Sequence, residues 1–149
     1  MSSYVNFYIE KNGVFISLTD YSRNNPMYKV AEGYAPYGKG AKLDEKIYSY
    51  MKEGFEESIE RYKKALKRYE YNIEFTRKVE GITLDEKLEA VEEYRSFIEE
   101  VNEELEITIA QLNHLNFIYH NIVEWGETNI WVGIEWDPNY KGYNITPDK

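Results

Sequence analysis

The pattern of apolar positions predicts three short strands separated by two long helices. Residues 4–10 alternate between two faces, Asn12-Gly13 follows, and residues 14–19 alternate again. Asn-Gly is the dipeptide that most strongly favours a tight hairpin turn, because both residues tolerate positive φ. Residues 130–136 alternate in the same way. The pattern therefore predicts an N-terminal β-hairpin and a C-terminal strand.

The chain between these strands carries two helical patterns that open with similar heptapeptides, GAKLDEK at Gly40–Lys46 and GITLDEK at Gly81–Lys87. After the first, apolar side chains recur every three or four residues from Leu43 to Val79, as on one face of a helix. After the second, apolar residues from Leu84 onward repeat with the seven-residue period of a coiled coil. The sequence predicts a long helical hairpin that reverses at Gly81.

The second helix has two possible ends. It can continue to Trp125, where Gly126 would terminate it. Alternatively it breaks within residues 113–116, and residues 117–125 form a strand. Residues 20–40, rich in turn formers, are expected to be mostly loop, with a short edge strand at Tyr28 and Val30.

These elements predict an α+β fold. A small antiparallel β-sheet, made of the N-terminal hairpin and a C-terminal strand, packs on the open end of a long antiparallel two-helix coiled-coil hairpin. We expect one domain, 1–149, whose parts are a β-hairpin and loop (1–40), the helical hairpin (41–126) and a strand with a flexible tail (127–149).

Composition narrows the function classes. The chain has 149 residues, no cysteine and a net charge of -9. These values argue against disulfides, thiolate metal sites and direct nucleic-acid binding, which needs a basic surface. Neither a signal peptide nor a membrane-spanning stretch is recognisable, so we expect a cytoplasmic protein. The 15 tyrosines are typical of interaction surfaces.

Catalytic and metal-binding patterns are missing from the sequence. His114 and His120 lie six residues apart, whereas two ligands on one helical face need a spacing of three or four. Nucleophile elbows, phosphate-binding loops and dinucleotide fingerprints are absent. We therefore expect no enzyme activity, no metal and no cofactor.

An acidic row on the second helix is the first candidate site. Pairs of carboxylates recur every seven residues, at Asp85 and Glu86, Glu92 and Glu93, and Glu99 and Glu100. Seven helical residues span about 10 Å, so the row could imitate a nucleic-acid backbone and bind a basic protein partner. The simpler alternative is that these positions are only solvated.

A second candidate is a ligand site formed by Tyr21, Arg23, Asn24 and Trp131. An arginine with aromatic and amide side chains can supply charge-assisted hydrogen bonds and a stacking face to a small nucleotide. The simpler alternative is a polar turn beside tryptophans that pack the sheet.

In type, the chain resembles the small, acidic, cysteine-free proteins with which phages block bacterial defences, including anti-CRISPR and signal-sequestering proteins. The resemblance rests on the hairpin at Tyr4–Thr19, the long charged helices and the missing catalytic motifs. It implies a non-enzymatic inhibitor of a host protein, acting in the host cytoplasm through an acidic, tyrosine-rich surface. The alternatives are a sponge for a nucleotide immune signal and a structural coiled-coil adaptor.

Self-association is expected from geometry. A hairpin this long cannot cover its own apolar stripes, which widen near the turn at Tyr69, Tyr71, Phe75, Leu88 and Phe97. A second copy would cover them and give a four-helix assembly around a two-fold axis. The sequence thus predicts a homo-oligomer.

Overall fold

The computed structural model describes residues 4–22, 26–32, 40–122 and 129–138. These residues fall into two compact units: the sheet unit, within residues 1–55 and 110–149, and the hairpin unit, residues 56–109. In chain order the elements are β1 (Tyr4–Lys11), β2 (Val14–Ser22), α1 (Pro26–Ala31), β3 (Gly40–Lys42), α2 (Glu45–Lys78), α3 (Leu84–Phe117), a π-helical turn (Ile118–Ile122) and β4 (Asn129–Ile134).

The sheet confirms the predicted α+β fold class. Its strand order is β2-β1-β4-β3, and every neighbouring pair is antiparallel. The turn between β1 and β2 has φ values of 54° at Asn12 and 80° at Gly13, as the Asn-Gly dipeptide predicts. The predicted C-terminal strand is β4, which lies beside β1 at the centre of the sheet.

Two details of residues 20–42 were predicted wrongly. The expected edge strand at Tyr28 and Val30 is instead part of helix α1, which begins at Pro26, a residue suited to the first helical position. The expected start of the helical hairpin near residue 41 is instead strand β3, because Gly40–Lys42 pairs with β4. Only glycine fits at residue 40, where a Cβ would lie 2.4 Å from the Trp136 ring.

The main core lies between one face of the sheet and the helices of the sheet unit. Val5 and Phe7 of β1 belong to it together with Phe55 of α2 and Leu115 of α3, and all four are completely buried. The remaining sheet positions in this core are Tyr21, Ile130, Val132 and Ile134. The alternation seen in the sequence therefore directs one side of each strand onto the helices.

The hairpin unit is an antiparallel pair of helices. Tyr69 of α2 lies near Tyr94 and Phe97 of α3, with ring centroids 6.2 and 5.6 Å apart. Gly81, in the connection, has a φ of 91°, the left-handed conformation typical of the residue after a helix. Thr83 begins α3 by accepting a hydrogen bond from the Glu86 amide at 3.2 Å, half of the predicted capping box.

The C-terminal end of α3 shows whether the second helix continues past residue 116 or breaks there and is followed by a strand. The helix reaches Phe117 and continues as the π-helical turn Ile118–Ile122, so the alternative strand is wrong for these residues. Residues 123–125 lie outside the described part of the chain. None of the helices in the described ranges is long and apolar enough to cross a membrane.

Candidate functional site

The predicted acidic row lies on α3 within the hairpin unit, and all six of its carboxylate residues are exposed. They are Asp85, Glu86, Glu92, Glu93, Glu99 and Glu100. Among the residues that the structure describes, none of these six side chains forms an ion pair. Because these side chains are exposed and form no ion pairs among the described residues, the row is available for contact with a cationic partner.

Next to the row lies a groove with the opposite character, which we call the tip groove. Its volume is about 310 Å³, and its lining residues are Arg77, Leu84, Lys87, Leu88, Val91, Glu92 and Arg95. Val91 is buried, whereas 71 % of Leu84 and 56 % of Leu88 are exposed. Three cationic side chains with one carboxylate thus surround an aliphatic floor.

The cationic groups of the tip groove differ in their local bonding. The Lys87 ammonium donates to the carbonyl of Arg77 at 3.1 Å, where it satisfies an acceptor in the last turn of α2. The Arg77 guanidinium pairs with the Glu74 carboxylate at 2.9 Å. Arg95 forms no ion pair within the described ranges. Arg95 is therefore the groove cation with most freedom to bind an external anion.

Leu84 was expected to be the first residue of the helical seam, yet it is exposed. Because α2 ends at Lys78, the antiparallel register leaves only the connecting residues opposite Leu84. Leu88 also lies outside the contact between α2 and α3, as expected from its place among the apolar residues that the hairpin cannot cover. The groove itself could have been recognised from the sequence, because Arg95 continues the Leu84-Leu88-Val91 spacing with a charged residue.

A second apolar feature of the hairpin unit is the pair formed by Tyr71 and Phe75 of α2. Their rings stack with centroids 6.4 Å apart, and 68 % and 57 % of the two residues are exposed. Single exposed apolar residues are ordinary, but several close together in sequence indicate a contact surface.

The structure describes two of the four residues of the second predicted site, Tyr21 and Trp131. Tyr21 belongs to the core between sheet and helices, where its hydroxyl bonds to the Nδ1 atom of His114. Trp131 belongs to a separate buried cluster with Tyr8 and Trp136, on the other face of the sheet. Arg23 and Asn24 lie outside the described residues. The structure therefore does not bring Tyr21 and Trp131 together.

The tryptophan cluster contains two indole N–H groups that call for comment because they are buried. Trp131 and Trp136 are buried, and within the described residues neither indole Nε1 has a hydrogen-bond partner. Phe15 lies edge-on to both indoles, with ring centroids 6.4 and 5.9 Å away. An indole N–H that points at the face of a neighbouring ring forms a weak N–H···π contact, which lowers the cost of an unpaired donor.

The π-helical turn carries a cluster of polar aromatic side chains. Tyr48 of α2 stacks on Tyr119, with centroids 4.0 Å apart and ring planes within 7° of parallel. Its hydroxyl donates to the Asn116 side-chain oxygen and therefore accepts from His120 Nε2, 3.1 Å away. Burial, followed by the charges of Glu45 and Asp44, raises the pKa of Tyr119. These contacts hold the π-helical turn against α2.

The two histidines thus have separate structural partners. Burial lowers the pKa of His114 below its usual 6.5, so the neutral imidazole is the form that bonds to Tyr21. In the described part of the chain, no group of three histidine or acidic side chains could hold a metal ion. Comparisons of the chain with family models, curated proteins and solved structures gave no match.

Proposed function

We propose that this chain is a non-enzymatic binding protein that acts through the exposed surface of its hairpin unit. The observation that carries the proposal is the exposed acidic row on α3, whose side chains make no ion pairs among the described residues. An exposed acidic surface attracts and orients a basic partner, and large exposed apolar side chains on the same unit add contact area.

The partner that fits best is a protein with a basic groove that normally holds nucleic acid. Pairs of carboxylates that recur about every 10 Å along the helix present negative charge in a regular array. A chain that occupied such a groove would compete with the nucleic acid and inhibit the partner. The resemblance to phage-encoded inhibitors makes a bacterial defence protein the specific form of this proposal.

The test is retention of proteins from nuclease-treated bacterial lysate by three tagged chains. The first is the natural chain and the second carries Glu93→Gln, Glu99→Gln and Glu100→Gln. The control carries Glu57→Gln, Glu60→Gln and Glu70→Gln, which remove the same charge from exposed positions of α2. The proposal predicts a basic protein that the natural chain and the control retain, and that the α3 variant loses.

Added salt sharpens this test. Screening shortens the range of exposed charges to about 8 Å at physiological ionic strength, so retention through the acidic row should weaken as salt rises. Equal retention by the α3 variant and the control, at any salt concentration, would contradict the proposal.

Capture of a small nucleotide is the second candidate, and one observation favours it. The two indole N–H groups of Trp131 and Trp136 lack acceptors among the described residues, and because both residues are buried, a ligand would satisfy them only if the surrounding side chains moved. A ligand that binds only the folded chain raises its melting temperature. Thermal unfolding with and without cyclic dinucleotides therefore tests this candidate, which requires an increase that Trp131→Phe abolishes.

A further inference from the structure

The tip groove and its exposed leucines are unusual features for a chain with this charge. The whole protein carries a net charge of -9, yet the groove brings Arg77, Lys87 and Arg95 together around Leu84 and Leu88. A surface that combines cations with exposed aliphatic side chains is complementary to an edge that combines carboxylates with aliphatic side chains. The natural occupant is therefore acidic and amphipathic.

The start of α3 itself provides such an edge. Asp85 and Glu92 lie close in sequence to Leu84 and Leu88, and both carboxylate residues are exposed. Each copy of the chain therefore carries both halves of the contact, the cationic groove and an acidic edge. A contact in which each molecule offers both halves is isologous, as in dimers with two-fold symmetry.

We propose that the tip groove is the site at which a second copy of this chain docks, with the two α3 helices antiparallel. The groove residues of α3 extend from Leu84 to Arg95, so their midpoint lies near residue 90. In an antiparallel pair that crosses there, Arg95 of one copy is opposite Asp85 of the second copy. Leu88 is then opposite Glu92 and one position from Val91, and the pairing of Arg95 with Asp85 occurs twice.

This proposal goes beyond partner binding, because the self-contact uses only one side of α3. Glu86, Glu93 and Glu100 recur every seven residues, about 100° around the helix from Asp85, and remain outside the antiparallel contact. Asp85 and Glu92 of the row lie in the self-contact, whereas Glu93 and Glu100 stay available to a partner, so loss of the dimer and loss of partner retention are separate outcomes.

Sedimentation velocity of the full chain over a range of concentrations is the first test. The proposal predicts a dimer that dissociates on dilution, whereas a monomer at every concentration would overturn it. The groove variant carries Leu84→Ser and Leu88→Ser. Its control carries Ile107→Ser and Ile109→Ser, which are 49 % and 39 % exposed in the natural chain and lie on the same helix.

The expected result is a monomeric groove variant and a dimeric control, with circular dichroism confirming equal helix content. Groove substitutions remove the apolar centre of the contact, and the control removes similar side chains elsewhere. A groove variant that stays dimeric would overturn the proposal, as would the loss of the dimer in both variants.

A charge exchange tests the pairing itself. Arg95→Glu and Asp85→Arg should each raise the dissociation constant of the dimer about tenfold, because each places like charges together at two symmetric positions. The double variant should regain most of the natural affinity, since each of the two symmetric pairs again joins a cation and a carboxylate. Affinity losses that simply add in the double variant would contradict this register.

Discussion

The sheet unit and the hairpin unit bury their apolar side chains to very different extents. Among the described residues, the largest completely buried side chains all belong to the sheet unit, apart from Thr108. The hairpin unit exposes Tyr71, Phe75, Leu84 and Leu88 by more than half, although the sheet unit also exposes Val14, Ile16 and Phe117 to that extent. The comparison indicates that the sheet unit supplies most of the stability, whereas the exposed side chains of the hairpin unit are available for contacts.

The largest expected effect comes from the same substitution at two positions of α3. Leu115 is completely buried in the sheet unit, so Leu115→Ala should lower the free energy of unfolding by about 2–5 kcal/mol. Leu88→Ala, in the hairpin unit, should change it by no more than about 0.5 kcal/mol under monomeric conditions. Urea unfolding measures both, and equal losses would remove the proposed difference between the units.

A glycine comparison gives the next largest effect. At Gly40 a new Cβ would lie within 2.6 Å of three Trp136 ring atoms, so Gly40→Ala should cost about 1–3 kcal/mol through overpacking. At Gly81 no atom lies within 4 Å, and Gly81→Ala should cost only about 1 kcal/mol, from the positive φ. Thermal unfolding distinguishes the two, and a greater loss at Gly81 would contradict the tight packing around Trp136.

In the sheet unit, His114 should make the stability of the fold vary with pH. Its pKa in the folded chain is below 6.5, so the unfolded chain binds the proton more readily. Stability is therefore complete above pH 6.5 and falls as the pH drops through this value towards the folded pKa. His114→Gln should flatten this part of the profile. A profile unchanged by His114→Gln would exclude this cause.

The smallest expected effect on stability is at the acidic row. Glu93→Gln, Glu99→Gln and Glu100→Gln remove exposed charges without ion pairs in the described structure, so each should change the free energy of unfolding by less than about 0.5 kcal/mol. Urea unfolding of the three variants checks this. A loss well above that value would show that the row stabilises the fold, and its effect on partner binding would then be indirect.

The heptapeptides GAKLDEK and GITLDEK illustrate what local sequence could predict. Both precede a long helix, as expected, but they adopt different structures. Thr83 caps α3, whereas Lys42 at the matching position of the first copy has no capping oxygen, and Asp44 caps α2 at 2.9 Å instead. Gly40–Lys42 is then available to pair with β4, a contact with residues about ninety positions away that no local pattern reveals.

The candidate sites also differ in whether they depend on neighbouring residues of one helix or on contacts between residues far apart in the sequence. The exposure of the acidic row followed from its heptad positions, which depend only on neighbouring residues in one helix. The separation of Tyr21 from Trp131 depends on strand order, because Tyr21 lies on the edge strand β2 and Trp131 on the central strand β4. The tip groove combines both kinds of information, because Arg95 continues a spacing visible in the sequence, whereas the exposure of Leu84 depends on where α2 ends relative to α3.

Mass-spectrometric footprinting of carboxyl groups tests the central claim most directly, with the full chain alone and bound to its captured partner. We predict that the partner protects Glu93, Glu99 and Glu100 of the hairpin unit, while the exposed Asp44 and Glu45 of the sheet unit stay reactive. Protection of Asp44 and Glu45, with the α3 carboxylates unchanged, would contradict the claim that the hairpin unit is the binding surface.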